Sequence, residues 1–165
     1  MKYVVCVPDG CADLPVPELL VQEGLCIRES WGQDRFVLIA ASTHRGEERR
    51  VLDAFNTLKK KYPQTLLVIV PRHPERFTSV IKLCRKAVYN VVCRSTHKGK
   101  LISNTDVLVG DTMGELQKLY VASDVAIIGG SLVPIGGHNL LEACAVGVPV
   151  IFGPHMFHLS ELSAM

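Results

Sequence analysis

Residues 35–41, RFVLIAA, form a continuous apolar run after their first residue, the arginine of the charged pair at 34–35. Such a run is typical of a strand buried on both faces of a parallel sheet. The residues that follow predict a polar loop at 42–46 and an amphipathic helix over 47–62, acidic in its first turn and basic at 59–61. A strand that leads through a short loop into such a helix is the repeating unit of an α/β fold.

The same alternation continues to the end of the sequence. It predicts further strands at 65–70, 88–93, 106–109, 125–128 and 149–152, and further helices at 74–86, 113–122 and 138–146. Because strands alternate with helices, right-handed crossovers are expected between parallel strands. The predicted fold class is therefore α/β, with a single Rossmann-like, doubly wound parallel sheet. We expect it to span 34–165, after a segment 1–33 of uncertain origin.

Composition excludes several classes of protein. With 48% hydrophobic residues and a net charge of +2 over 165 residues, the chain is not disordered, and no apolar run is long enough to cross a membrane. Asp9 and Asp13 interrupt the stretch where a signal peptide would be apolar. Six scattered cysteines without a C-x-x-C pair indicate a reducing, cytoplasmic setting. Aromatic residues make up 6%, and no basic stripe predicts a nucleic-acid partner.

Polar segments follow five of the predicted strands, and the carboxyl ends of parallel strands meet at one edge of a sheet. Ligands bind at that edge in open α/β sheets. The sequence therefore predicts a site there, built from segments 42–47, 72–76, 110–115, 129–139 and 153–158. Residues 1–34 carry a net charge of −4 and the remainder +6, which suits an anionic ligand.

The segment GGSLVPIGGHNLLE at 129–142 is the richest of these candidates. Its two glycine pairs let the backbone approach a ligand, and the second pair leads into a predicted helix N-terminus that favours an anion. Glu142 could then accept hydrogen bonds from both hydroxyls of a ribose. The alternative is an ordinary loop in which Asn139 caps the helix and Glu142 is its partner in a capping box.

The segment RHPER at 72–76 carries two guanidinium groups that suit an anion with several oxygens, such as a phosphate. The alternative is a surface ion pair of either arginine with Glu75. The histidines lack metal-ligand spacing, so we expect no metal. Nucleophile-elbow, P-loop and dinucleotide-binding motifs are also missing from the sequence.

Taken together, five segments closely resemble the Kdo transferases: 41–48, 70–77, 110–116, 129–142 and 147–155. The resemblance implies an inverting glycosyltransferase of the GT-B type, which moves 3-deoxy-D-manno-oct-2-ulosonic acid (Kdo) from CMP-Kdo to a lipid A precursor and releases CMP. This reaction belongs to lipopolysaccharide biosynthesis, at the cytoplasmic face of the inner membrane. The matching stretch corresponds to the C-terminal, donor-binding domain of that family.

The resemblance also implies roles for individual residues. Arg72 would face the cytidylate phosphate or the Kdo carboxylate, Asn139 would cap the helix near the phosphate, and Glu142 would bind the ribose. The full predicted donor-binding set is Thr43, Arg72, Met113, Gly114, Ser131, Gly136, Gly137, Asn139 and Glu142. No metal and no cofactor are expected, because GT-B enzymes offset the leaving-group charge with helix dipoles and basic side chains.

The sequence also departs from that family. The family's chains are more than twice as long, and their N-terminal domain carries the acceptor site and a catalytic glutamate base that have no counterpart here. We therefore expect donor binding without transfer by this chain alone, and we predict no catalytic residue in it. The alternative is a non-catalytic nucleotide-binding module.

Residues 1–19 resemble a different family, the archaeal-type cofactor-independent phosphoglycerate mutases. That resemblance implies a metal ligand at Asp9 and a second candidate function, a fragment of a metal-dependent phosphotransferase. The alternative for this segment is an extra edge strand followed by a tail.

Overall fold

The structure, a computed structural model, describes residues 4–6 and 15–157. These residues form a seven-stranded sheet in the order β1-β7-β6-β2-β3-β5-β4. The strands are β1 (Val4–Cys6), β2 (Val37–Thr43), β3 (Leu66–Pro71), β4 (Val91–Cys93), β5 (Val107–Val109), β6 (Val125–Ile128) and β7 (Val150–Phe152). Strands β2 to β7 pair in parallel, and β1 pairs antiparallel with β7. The predicted α/β class with a doubly wound parallel sheet is confirmed.

Helices cover both faces of the sheet. They are α1 (Glu18–Trp31), α2 (Glu47–Lys61), α3 (Phe77–Lys86), α4 (Leu116–Val121) and α5 (Leu141–Ala145). Along β2, Ile39 and Ala41 pack into a core with residues of α1, α4 and α5, whereas Leu38 and Ala40 pack into a second core with residues of α2 and α3. This alternation follows from the strand's two-residue period and explains why the whole run is buried.

Helix α1 has no counterpart among the predicted elements. Its sequence has a weak amphipathic pattern, because apolar residues such as Leu19 and Leu25 are exposed to solvent. The helix nevertheless packs closely on α4: a Cβ atom at Gly24 would lie 2.4 Å from Cβ of Val121. Near its C-terminal end, Arg28 forms an ion pair of 2.8 Å with Asp124, directly before β6. Residues 18–31 are therefore an integral layer of the fold.

Three predicted helices begin later than the sequence pattern indicates. Residues 74–76 form a single 3₁₀ turn before α3. Helices α4 and α5 each begin three residues beyond the predicted start, at Leu116 and Leu141. In each case the polar or glycine-containing residues before the helix form a turn instead. Helix α5 is consequently only five residues long.

The N-terminal strand matches the edge-strand alternative. Val4 pairs with Phe152 and Cys6 with Val150 at the outer edge of the sheet. The aspartate that the phosphoglycerate mutase resemblance implies as a metal ligand, Asp9, lies outside the described residues.

Candidate functional site

Loops after β2, β3 and β6 meet at one edge of the sheet, as the predicted topology requires. Backbone hydrogen bonds join them at their bases: the N–H of Arg72 donates to the carbonyl of Thr43 (3.0 Å), and that of Gly129 donates to the carbonyl of Ala41 (2.7 Å). Gly129 must be a glycine, because a Cβ there would lie 2.1 Å from the carbonyl oxygen of Ser42. These contacts fix the relative positions of the candidate ligand-binding residues.

Glu47, the first residue of α2, connects two of these loops. Its fully buried carboxylate accepts hydrogen bonds from the backbone N–H groups of His44 and Gly130, both at 2.8 Å, and from that of Leu132 at 2.9 Å. The sequence pattern indicated only an acidic residue that suits the helix dipole. The hydrogen bonds from Glu47 to the glycine-rich loop depend on the tertiary structure. In the sequence, the only indication of this role is an acidic residue directly after a predicted strand and loop.

Glu48 organises a second buried group. Thr43 donates its hydroxyl hydrogen to Glu48 Oε1 (2.8 Å), and Arg76 forms an ion pair with the same oxygen (2.6 Å). Thr43 is 1% exposed, and Arg76 also donates a hydrogen bond to the backbone carbonyl of Thr43. The side chains of Thr43 and Arg76 are therefore both hydrogen-bonded within the protein. The predicted alternative was a surface ion pair of Arg72 or Arg76 with Glu75. Arg76 instead forms its ion pair with Glu48.

Arg72 differs from Arg76 although the two share one short segment. Arg72 is exposed, and within the described part of the chain its guanidinium forms no hydrogen bond or ion pair. Of the two arginines, Arg72 is therefore the one available to an external anion.

Three histidines cluster beside this arginine. The Nε2 atoms of His44 and His138 are 2.7 Å apart, and the ring of His73 packs edge-on against His44 with centroids 5.4 Å apart. Burial lowers the pKa of His138 to about 4, helped by the neighbouring His44, Arg72 and His73. Burial also lowers the pKa of His44. The predicted topology placed all three histidines at this edge of the sheet, but no sequence spacing or motif predicted the contacts between their rings.

The glycine-rich loop is a turn closed by its own hydrogen bonds. The N–H groups of Gly136 and Gly137 donate to the carbonyl of Gly130, and that of His138 donates to the carbonyl of Gly129. Gly136 and Gly137 have φ values of 115° and 79°, which favour glycine. In this conformation these N–H groups are not free for an anion, so direct contact of the two glycines with a nucleotide stays a prediction.

Ser131 also lies within the protein. It is fully buried, donates its hydroxyl hydrogen to the carbonyl of Ile128, and accepts a hydrogen bond of 2.9 Å from the N–H of Gly153. It therefore ties the glycine-rich loop to the segment after β7. Its backbone is buried as well, so direct contact of Ser131 with a ligand stays a prediction.

Asn139 and Glu142 flank a cavity of about 320 Å³ that Gln117, Pro15 and Pro17 also line. Asn139 accepts a hydrogen bond of 2.9 Å from the N–H of Leu141, which is the capping interaction considered above. Glu142 forms no capping box, and its carboxylate has no hydrogen-bond partner among the described residues. Glu142 is thus a hydrogen-bond acceptor without a described partner at the wall of this cavity, as ribose binding would require.

The loop after β5 presents Met113 and Gly114 on the surface. Met113 is 66% exposed, and Gly114 has a φ of 76° with open space around its α-carbon. Glu115 anchors the loop through hydrogen bonds from Thr112 and Arg94. Burial raises the pKa of Glu115, but these hydrogen bonds and the positive charges of Arg94 and Lys118 outweigh it and hold the pKa below its usual value.

In residues 4–6 and 15–157 no three histidine, cysteine or acidic side chains are placed to hold a metal ion. Within the same ranges no helix has the length and apolar character needed to cross a membrane.

Comparison with known proteins places this site in a family. The model of the family "Glycosyl transferases group 1" matches residues 33–162. The chain therefore belongs to the group 1 glycosyl transferases.

Two of the relatives to which the chain is similar are Kdo transferases. The chain is 46% identical to the 3-deoxy-D-manno-octulosonic acid transferase of Haemophilus influenzae over 93% of this chain and 39% identical to that of Bordetella pertussis over 90%. It covers 36% and 35% of those proteins, so it spans about a third of their length. The resemblance to Kdo transferases is confirmed.

A solved structure supports the same assignment. The crystal structure of the C-terminal CMP-Kdo binding domain of WaaA from Acinetobacter baumannii superimposes with a TM-score of 0.81 at 33% identity, over 90% of this chain and 77% of that one. The predicted correspondence to the C-terminal half of a GT-B enzyme is confirmed.

Proposed function

We propose that this domain binds the CMP-Kdo donor of a Kdo transferase. The observation that carries the proposal is the contrast between occupied and unoccupied charges at the sheet edge. Glu47, Glu48 and Arg76 are held by protein partners, whereas Arg72 and Glu142 have none among the described residues. One cation and one hydrogen-bond acceptor are what a nucleotide's phosphate and ribose require.

Each predicted residue has a role in this proposal. Arg72 binds the phosphate or the Kdo carboxylate, and Glu142 accepts hydrogen bonds from the ribose hydroxyls. Met113, Gly114 and Asn139 border the nucleotide from the surface of the same edge. Thr43, Ser131, Gly136 and Gly137 are assigned to the donor site through their backbone and through the loop conformation that they stabilise.

The reaction as a whole is proposed from the relatives' name and the family resemblance. Kdo would pass from CMP-Kdo to a lipid A precursor in lipopolysaccharide biosynthesis, at the cytoplasmic face of the inner membrane. The acceptor site and the catalytic base would come from an N-terminal domain like that of the full-length family. In the domain organisation that we propose, residues 34–165 form the donor-binding unit and α1 packs on it as an outer layer.

Calorimetry with CMP in the presence of EDTA tests donor binding directly. We expect metal-independent binding that weakens about 10- to 100-fold in Glu142→Gln and in Arg72→Gln, since each loses charge-assisted hydrogen bonds worth roughly 1.5–3 kcal/mol. Glu29→Gln and Arg85→Gln are the matched controls, because both alter charged residues away from this edge. Equal affinity in all five proteins, or binding that requires a divalent cation, would overturn the proposal.

A further inference from the structure

The contact between His44 and His138 fixes the position of one ring hydrogen. Their Nε2 atoms are 2.7 Å apart, which is a hydrogen-bond distance. One Nε2 must therefore donate its hydrogen and the other must accept it, because two N–H groups cannot face each other at this separation. Because burial lowers the pKa of both rings, the pair is uncharged near neutral pH: one ring carries its hydrogen at Nε2, between the rings, and the other carries its hydrogen at Nδ1.

The pair also has an unused binding capacity. Each imidazole has a second nitrogen, Nδ1, and in the described part of the chain neither Nδ1 has a hydrogen-bond partner. The ring that donates through Nε2 has a lone pair at Nδ1. An added proton would therefore enter there, without breaking the hydrogen bond between the rings.

Charged groups around the pair come from two elements. The groups that face it are Glu47 and Glu48 from α2, and Arg72, His73 and Arg76 from the segment after β3. Both carboxylates are already engaged, by three backbone N–H groups and by Arg76 respectively. Arg72, by contrast, has no partner among the described residues, and its positive charge disfavours a proton on His138.

An anion at this edge would reverse that balance. A phosphate or carboxylate bound to Arg72 neutralises its charge and adds a hydrogen-bond acceptor beside the rings. Both effects favour the protonated form of an imidazole. In the unliganded protein, burial and the neighbouring positive charge lower the pKa of His138 to about 4. The ring is therefore neutral between about pH 4 and neutral pH, and it can gain a proton there when an anion binds.

We propose that the His44–His138 pair takes up one proton from solvent when the anionic group of the ligand binds beside Arg72. The proton enters at Nδ1 of the ring that donates through Nε2, and the resulting imidazolium donates from that Nδ1 to the anion. No covalent bond breaks. The proposal rests on the proposed function, because the anion is the phosphate or carboxylate of the donor.

Binding calorimetry in several buffers tests this coupling. CMP is titrated into the protein at about pH 6 in buffers that differ in their enthalpy of ionisation, and the slope of binding enthalpy against ionisation enthalpy counts protons. The phosphate of CMP contributes equally to every protein variant. We expect wild type to take up as much as about one proton more than His138→Asn. The control His97→Gln, a half-buried histidine in the segment after β4, should match wild type.

The outcomes separate this proposal from the one it rests on. Absence of CMP binding in wild type would overturn the proposed function. Binding of CMP with equal proton uptake in wild type and His138→Asn would overturn only the coupling. If His138→Asn does not fold, NMR titration of the histidine rings of wild type with and without saturating CMP gives the same answer. A rise in the pKa of His44 or His138 supports the coupling, and unchanged values overturn it.

Discussion

The Oε2 atom of Glu47 lies 2.8 Å from the backbone nitrogen of Gly130, across 83 residues of sequence. The same oxygen accepts a hydrogen bond from His44, and the other carboxylate oxygen accepts one from Leu132. A single buried side chain thus holds the loop after β2 and the glycine-rich loop after β6 together. Because these loops carry His44 and His138, Glu47 also maintains the distance between the two rings.

Replacing Glu47 with glutamine places an amide NH₂ group against backbone N–H donors. We expect Glu47→Gln to lower the free energy of unfolding by about 2–4 kcal/mol, since at least one buried donor loses its acceptor. Urea unfolding followed by circular dichroism measures this change. Glu29→Gln, on the exposed face of α1, is the control and should change stability by no more than about 0.5 kcal/mol. Equal stability of the two variants would contradict a structural role of Glu47.

Arg76 and Arg72 should respond oppositely to the same substitution. Arg76→Ala leaves the carboxylate of Glu48, 2% exposed, without its ion-pair partner, so we expect a loss of about 3 kcal/mol of stability. Arg72→Ala should leave stability within about 0.5 kcal/mol of wild type and weaken CMP binding. Thermal unfolding and calorimetry on both variants distinguish the two. Destabilisation by Arg72→Ala, or full stability of Arg76→Ala, would refute this division.

This pair of arginines illustrates what a sequence can and cannot predict. The placement of segment 72–76 at the sheet edge follows from strand periodicity and chain topology, and the structure agrees. Which arginine is free depends on Glu48, which lies 28 residues away from Arg76 in the sequence and becomes its partner only through the pairing of β2 with β3. No local pattern carries that information.

The glycine-rich loop shows the same limit. Its four glycines and its position after β6 were predictable, and so was a polar residue that caps the following turn. The closure of the loop by hydrogen bonds to Gly129 and Gly130 was not, since it depends on positive φ angles at Gly130, Gly136 and Gly137 acting together. Helix α5 is shorter than predicted for this reason: the residues up to Asn139 belong to the turn.

We expect the free energy of unfolding to decrease as the pH is lowered, because of His138. Its pKa in the folded protein is about 4, below the value of about 6.5 for an unfolded chain, so the unfolded state binds more protons between these values. The stabilisation is complete above about pH 6.5 and is lost as the pH falls towards 4. We expect His138→Asn to reduce the loss of unfolding free energy over this interval by about 1–3 kcal/mol. Urea unfolding at a series of pH values measures it, and parallel profiles for the two proteins would contradict it.

Gly24 tests whether α1 belongs to the fold. In an exposed helix, replacing glycine with alanine stabilises by about 1 kcal/mol. Here the new Cβ would lie 2.4 Å from Cβ of Val121 and 2.9 Å from the carbonyl oxygen of Lys118, so α1 would have to move away from α4. We therefore expect Gly24→Ala to destabilise by about 1–3 kcal/mol. Cys26→Ala, on the exposed side of the same helix, should be neutral or slightly stabilising. If Gly24→Ala were the more stable of the two, α1 could not be packed against α4 in solution as it is in the structure.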